Sequence, residues 1–228
     1  MLSALLLAAG LAQPALAQSS CASDGQKRPV ALVERFINAD CATCWTDPAT
    51  APAARGAVAL DWVLPGGRGE DAPLSAVATR DALKRLQALG AAPPAASLTL
   101  RAPVPGRAGA LRVAHGLPIS GYIGASIAFR GTADRAAGQP WTAWLALVEA
   151  LPAGTEASPV PRNLVRNLLQ IQWHGRNQLS KQEHMQFIES RPLDIPAGTT
   201  TDRLRVIGWV QDASGRIVAA AQSRCAGQ

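Results

Sequence analysis

The chain has 228 residues, with 22 Lys+Arg against 16 Asp+Glu and a formal net charge of +6. The cations are scattered, without a basic run and with little interleaved aromatic content. The charge therefore reads as solvated surface, with at most a mild attraction to anionic envelope surfaces, and argues against a nucleic-acid partner.

Leu2 to Leu11 is an almost unbroken apolar run, and Ala15-Leu16-Ala17 supplies a small-x-small pattern before polar Gln18-Ser19-Ser20. Residues 1–17 therefore read as a cleavable signal peptide, and the mature chain as periplasmic or secreted. No Lys or Arg precedes the apolar core, so either the α-amino group serves alone or the true start lies upstream of Met1. The run is too short to span a bilayer, no later stretch approaches that length, and the protein is expected not to be membrane-spanning.

Four cysteines follow: Cys21, Cys41, Cys44 and Cys225. Four thiols allow three complete pairings, and the C-x-x-C spacing of Cys41 and Cys44 favours a local pair. Cys21 and Cys225 are then left as a structural disulfide near the mature termini. Closing a loop of about 200 residues would stabilise the fold by roughly 4–5 kcal/mol. The alternative leaves Cys21 and Cys225 free or paired with other chains.

Pro29 to Ile37 and Ala57 to Leu64 read as strands, the second ended by Pro65-Gly66-Gly67. A helix is predicted over Leu74 to Leu89, capped by Ser75, with Leu83, Leu86 and Leu89 at i, i+3 spacing and Gly90 after it. Pro93-Pro94 marks a boundary. Beyond it, Ser97 to Ala102, Leu111 to Ala114, Ser120 to Phe129 and Thr142 to Leu151 are short β runs. Asn163 to Trp173 fits helix and strand alike. Leu204 to Gln211 and Arg216 to Ala221 flank Asp212-Ala213-Ser214-Gly215, a hairpin signal. The expected organisation is residues 1–17 as signal peptide, 18–92 as a C-x-x-C part and 93–228 as a β-rich part.

A strand running into C-x-x-C places the first cysteine where a helix begins, with unpaired N–H groups to stabilise a thiolate. Cys41 is the expected nucleophile and Cys44 the resolving thiol. Asp61 is a candidate buried acid relaying protons to Cys44, or else a solvent-facing carboxylate. Trp45 is a candidate shield or peptide-docking face, or else a packing residue. His115, His174 and His184 lie far from Cys41 and Cys44 without paired spacing, so no metal site is assigned, and His184-Met185 is at most a copper pair. No Gly-x-Ser-x-Gly elbow supports serine catalysis.

The segment Val33-Glu34-Arg35-Phe36-Ile37-Asn38-Ala39-Asp40-Cys41-Ala42-Thr43-Cys44 is similar to the opening of a bacterial secreted family of unknown function whose members read V-E-L-F-T-S-Q-G-C-S-S-C-P-P. Val58 to Trp62, Trp144 to Val148, Arg162 to Leu168 and the final strands resemble later segments of that family. The resemblance implies a fold with an α/β thioredoxin-like N-terminal part, α+β overall, and a β-rich, sandwich-like C-terminal part. Trp45-Thr46 stands where the family has two prolines, and Pro48 and Pro52 argue for a short or displaced helix. Pro118 is the candidate for the proline that faces the cysteines in thioredoxin-like proteins.

The expected activity is that of a thiol–disulfide oxidoreductase without a cofactor. Its partners would be envelope protein thiols or disulfides and a reductase or oxidant. The rival readings are a non-enzymatic secreted binding module with purely structural disulfides, and copper handling by the thiolates of Cys41 and Cys44.

Overall fold

The computed structural model describes residues 21–106, 109–131, 140–174 and 186–225, so residues 1–17, expected to be a signal peptide, and the His184-Met185 pair lie outside the described residues. Strands β1 (Cys21–Ala22), β5 (Gly109–Ile119), β6 (Tyr122–Gly131), β9 (Gln186–Asp194) and β12 (Arg224–Cys225) form one sheet, in the order β12-β1-β5-β6-β9. Strands β2 (Ala31–Asn38), β3 (Ala57–Leu64), β4 (Ser97–Pro103), β7 (Trp141–Leu151), β8 (Arg162–Trp173), β10 (Leu204–Gln211) and β11 (Ile217–Gln222) form the other. Its order is β11-β10-β7-β8-β3-β2-β4. The helices are α1 (Ala42–Thr46) and α2 (Arg80–Ala88).

The two-residue period of the strands distributes the core between layers. From β7, Ala143, Leu145 and Leu147 meet Val113, Ile127 and Phe129 of the five-stranded sheet. Trp144, Ala146 and Val148 point the other way, into a core that includes Ala82 and Leu86 of α2. Five-stranded sheet, seven-stranded sheet and α2 thus stack as three layers. Gly208 on β10 permits the close approach of the sheets, because a Cβ there would stand 2.6 Å from a Val113 methyl and 3.0 Å from Ile127.

The thioredoxin-like N-terminal part is not what the chain builds. β2 and β3 are parallel, as such a part requires, but β3 also pairs in parallel with β8. The two strands are therefore interior members of a sheet shared with the C-terminal half. The helix after the cysteines is five residues long. Pro48 lies just beyond it, where a second turn would need a backbone N–H. Residues on both sides of position 92 contribute strands to this sheet.

Other elements follow their local chemistry more closely. The helix predicted from Leu74 is split: Ser75–Val77 is a 3₁₀ turn, and α2 begins at Arg80 with Thr79 Oγ1 accepting from the Ala82 amide at 3.2 Å. Leu83 is exposed, while Arg85 is fully buried. Arg85 donates to both carboxylate oxygens of Glu34, at 2.8 and 2.6 Å, and its guanidinium lies over the rings of Trp144 and Trp209, 4.8 and 5.0 Å from their centres. Gly90 has a left-handed φ of 66°, as a helix terminator should. The ambiguous segment 163–173 is strand, because β7 and β3 flank it on both edges.

Candidate functional site

Alternation along β2 and β3 sends Phe36, Leu60 and Trp62 toward the α2 side, and Ile37, Asp61 and Val63 to the opposite face. There α1 covers the sheet, and Trp45 packs with Ile37, Ala39, Val63, Leu151 and Leu164.

The chain enters α1 through a tightly held turn. The Ala39 amide donates to Leu64 O at 2.9 Å and the Cys41 amide to Asn38 O at 2.9 Å. The Asp40 carboxylate accepts from the amides of Gly67 and Arg68 at 2.8 and 3.3 Å. Gly66 leaves room for that carboxylate, since a Cβ at position 66 would displace it. Cys41 and Cys44 are joined as a disulfide at this turn. Both are half-buried, but Cys44 packs against the apolar cluster under α1, whereas Cys41 Sγ lies on the exposed side, 3.5 Å from Thr43 Oγ1.

Beneath the turn lies a buried ionic network. Asp61, with no exposed surface, accepts from Arg162 Nη1 at 2.9 Å, Arg35 Nη2 at 2.9 Å and the Asn163 amide at 3.0 Å. Arg162 Nη2 donates to Trp45 O at 2.8 Å, and its guanidinium stacks 4.4 Å from the centre of the Trp45 ring. Asp61 therefore reaches the cysteine turn through Arg162, its oxygens committed to two cations and an amide. Its place is that of an anchor.

Beside α1 opens a cleft of about 380 Å³, lined by Trp45 and Thr46, by Leu74 and Val77, and by Glu149 and Arg166. Glu149 and Arg166 are buried and lie 3.7 Å apart. Glu149 accepts from the Thr200 amide at 3.0 Å, and Arg166 donates to Thr199 Oγ1 at 2.8 Å. Burial lowers the Arg166 pKa below its ordinary value, against the pull of Glu149. One wall carries Glu156 and Ala157, both with left-handed φ (48° and 55°). Each costs roughly 1–2 kcal/mol for a residue with a Cβ. The Trp45 indole N–H, donating to Glu156 O at 2.7 Å, pins this loop.

Trp45 is thus both a packing residue and part of the cleft. Pro118 sits on β5 in the other sheet, paired with Ile123, and no peptide bond among the described residues is cis. His115 is also on β5, and His174 is exposed after β8. Among the described residues, the group of side chains able to hold a metal gathers at Cys21, His115 and Cys225, and Cys41 and Cys44 do not belong to it. Cys21 and Cys225 are disulfide-bonded. Arg35, Arg162, Glu149 and Arg166 were not singled out by sequence; their signal was charge placed inside otherwise apolar strands.

A scan against protein-family models finds no match, and a search of curated proteins finds none. Among solved structures, HBP35 of Porphyromonas gingivalis is 13% identical, with 87% of this chain and 76% of that chain covered, at a TM-score of 0.47. A glycosyl hydrolase family 2 member from Bacteroides cellulosilyticus is 7% identical, with 57% of this chain and 16% of that chain covered, at a TM-score of 0.33. Both scores are too low to carry a functional argument.

Proposed function

We propose that this is an exported protein that exchanges disulfides with envelope protein thiols at Cys41–Cys44. The observation that carries the reading is the asymmetry of that disulfide, with Cys41 on the exposed side and Cys44 packed inward, beside a cleft able to seat a peptide segment. A substrate thiolate attacks Cys41 Sγ, the Cys41–Cys44 bond breaks, and Cys44 leaves as the thiolate. A second substrate thiol then displaces Cys41, so two electrons pass to the site and the substrate leaves as a disulfide. The reverse sequence reduces a substrate disulfide. Two disulfides, together with the absence among the described residues of any helix long and apolar enough to cross a membrane, are compatible with work outside the cytoplasm.

The test is trapping. Cys44→Ser should accumulate a mixed disulfide between Cys41 and envelope proteins, and Cys41→Ser should accumulate none. The Cys41–Cys44 reduction potential should lie near or above about −200 mV. A potential below roughly −300 mV, with nothing trapped, supports instead a binding module whose disulfide staples a short turn. The Asp61–Arg162–Trp45 buttress under that turn is the feature favouring this second reading.

A further inference from the structure

Residues 23–30 carry the chain from β1 in the five-stranded sheet to β2 in the seven-stranded sheet. The loop is tied down at both ends. The Ser23 amide donates to Val113 O at 2.9 Å, the Ser23 hydroxyl accepts from the Val113 amide at 3.1 Å, and the Val30 amide donates to Gly56 O at 2.8 Å. Gly25 turns the chain with a left-handed φ of 71°. Two recesses, of about 400 and 440 Å³, share residues 25–29 and Gln222 in their walls.

Among the described residues, five exposed cations line these recesses: Lys27 and Arg28 on the loop, Arg112 on β5, Arg130 on β6 and Arg224 on β12. Arg112 pairs with Ala128 and Arg130 with Ala110, so the two arginines stand diagonally on one face, about 7–8 Å apart at Cα. That face is the outer one, because Val113, Ile127 and Phe129 between them fill the core. The short side chains of Ala110 and Ala128 leave the space beside the guanidiniums open. The carboxylate among the described lining residues is Asp24, and Arg112 engages both its oxygens, from Nε at 2.9 Å and from Nη2 at 2.8 Å. Lys27, Arg28, Arg130 and Arg224 have no ion pair or side-chain hydrogen bond among the described residues. A cleft lined by one sign of charge concentrates ions of the other, and a bound anion relieves the repulsion within it.

We propose that the two recesses form one binding site for clustered phosphate groups, carried on a soluble polyphosphate or on a lipid headgroup. Four of the five cations are arginines, whose planar fork meets phosphate oxygens in pairs. A phosphate brings up to two negative charges where a carboxylate brings one, so a few phosphates offset the whole set. The recesses offer little else to read. Phe129, the aromatic residue in their walls, has no exposed surface, so no ring is presented on which a nucleobase could stack. The site is independent of the exchange proposed at Cys41–Cys44. Strand β2 leaves this loop and runs eight residues toward the cysteine turn, which places the two sites roughly 25 Å apart at its opposite ends.

The test titrates inorganic tripolyphosphate into the full chain by calorimetry, at low salt and at roughly 300 mM. Binding should saturate and weaken with salt. Arg28→Ala with Arg130→Ala should weaken it at least about tenfold. Both residues are exposed, so the variant should keep the wild-type Tm. Arg101→Ala, an exposed position on β4 that lines neither recess, should bind as wild type does. Citrate, with one charge on each carboxylate, should bind at least about tenfold more weakly than tripolyphosphate. Flotation with vesicles of phosphatidylglycerol in phosphatidylcholine separates the two sources. Capture of wild type and not of the double variant assigns a lipid headgroup, and tripolyphosphate binding without capture assigns a soluble phosphate. Binding of neither probe, equal binding by the double variant, an equal loss in Arg101→Ala, or citrate binding as tightly as tripolyphosphate overturns the proposal.

Discussion

Asp61 shows how much one buried side chain can hold. It joins Arg35 on β2 to Arg162 on β8, and through Arg162 it supports Trp45 beside the cysteines. Removing its charge strands two guanidiniums in a dry site, and breaking such a buried pair costs about 3–5 kcal/mol. Asp61→Asn, which keeps the shape, should lower unfolding stability by roughly 3 kcal/mol in urea titration and shift the Trp45 emission. An unchanged urea midpoint would show that the network is not structural. As a residue, Asp61 stood out as an acid inside an apolar strand. Its partners did not, because they are 26 and 101 positions away in sequence.

At the scale of elements, the β10–β11 hairpin is the clearest case of local chemistry deciding local structure. Asp212 accepts from the Ser214 amide at 3.0 Å, the Ser214 hydroxyl at 2.6 Å and the Arg216 amide at 3.1 Å, and pairs with the Arg216 side chain at 2.9 Å. Partial burial raises the Asp212 pKa, but the hydrogen bonds from Ser214 and Arg216 outweigh it and hold the carboxyl below its ordinary 3.8. A carboxyl with a depressed folded pKa contributes stability that is present above the unfolded value and lost as the pH falls through the folded one. Asp212→Asn should therefore be less stable than wild type near neutrality, with the gap closing below 3.8. Urea midpoints measured across that window check it, and a gap that persists into strong acid contradicts it. For helix α1, Pro48 and Pro52 argued for a short or displaced helix, and it is short, spanning Ala42–Thr46. Helix α2 is capped by Thr79 rather than Ser75, because the Thr79 hydroxyl accepts from the Ala82 amide.

For the whole molecule, the Cys21–Cys225 bridge spans 204 positions and fastens edge strand β12 to its neighbour β1, two residues each. Chain-entropy reasoning assigns about 5 kcal/mol to a loop of this length. Cys21→Ala with Cys225→Ala should lower the Tm markedly and leave the exchange proposed at Cys41–Cys44 intact, since the bridge belongs to the other sheet. Loss of exchange at a temperature where the variant is still folded would argue that the two disulfides are coupled. Parallel pairing of β3 with β8 ties the first hundred residues to the last hundred, so calorimetry should show one cooperative transition. Two resolved transitions would contradict the shared sheet. Sequencing of exported protein should begin at Gln18, and a retained Met1 would refute cleavage of the leader.

What the sequence determined by itself was local. Apolar runs marked β3 and β10 to the residue, Asp212 to Gly215 signalled the hairpin, and C-x-x-C spacing favoured one disulfide and left Cys21 and Cys225 as the remaining pair. These features follow from backbone period, turn chemistry and ring closure, all of which act over a few residues. Only the tertiary structure decided which strands meet. Placing β8 beside β3 set Arg162 on Asp61 and dissolved the expected thioredoxin-like part. Placing β1 beside β5 set His115 on Cys21. Strand order is chosen by which faces can be buried together, a property of the assembled sheets that no local run of residues carries.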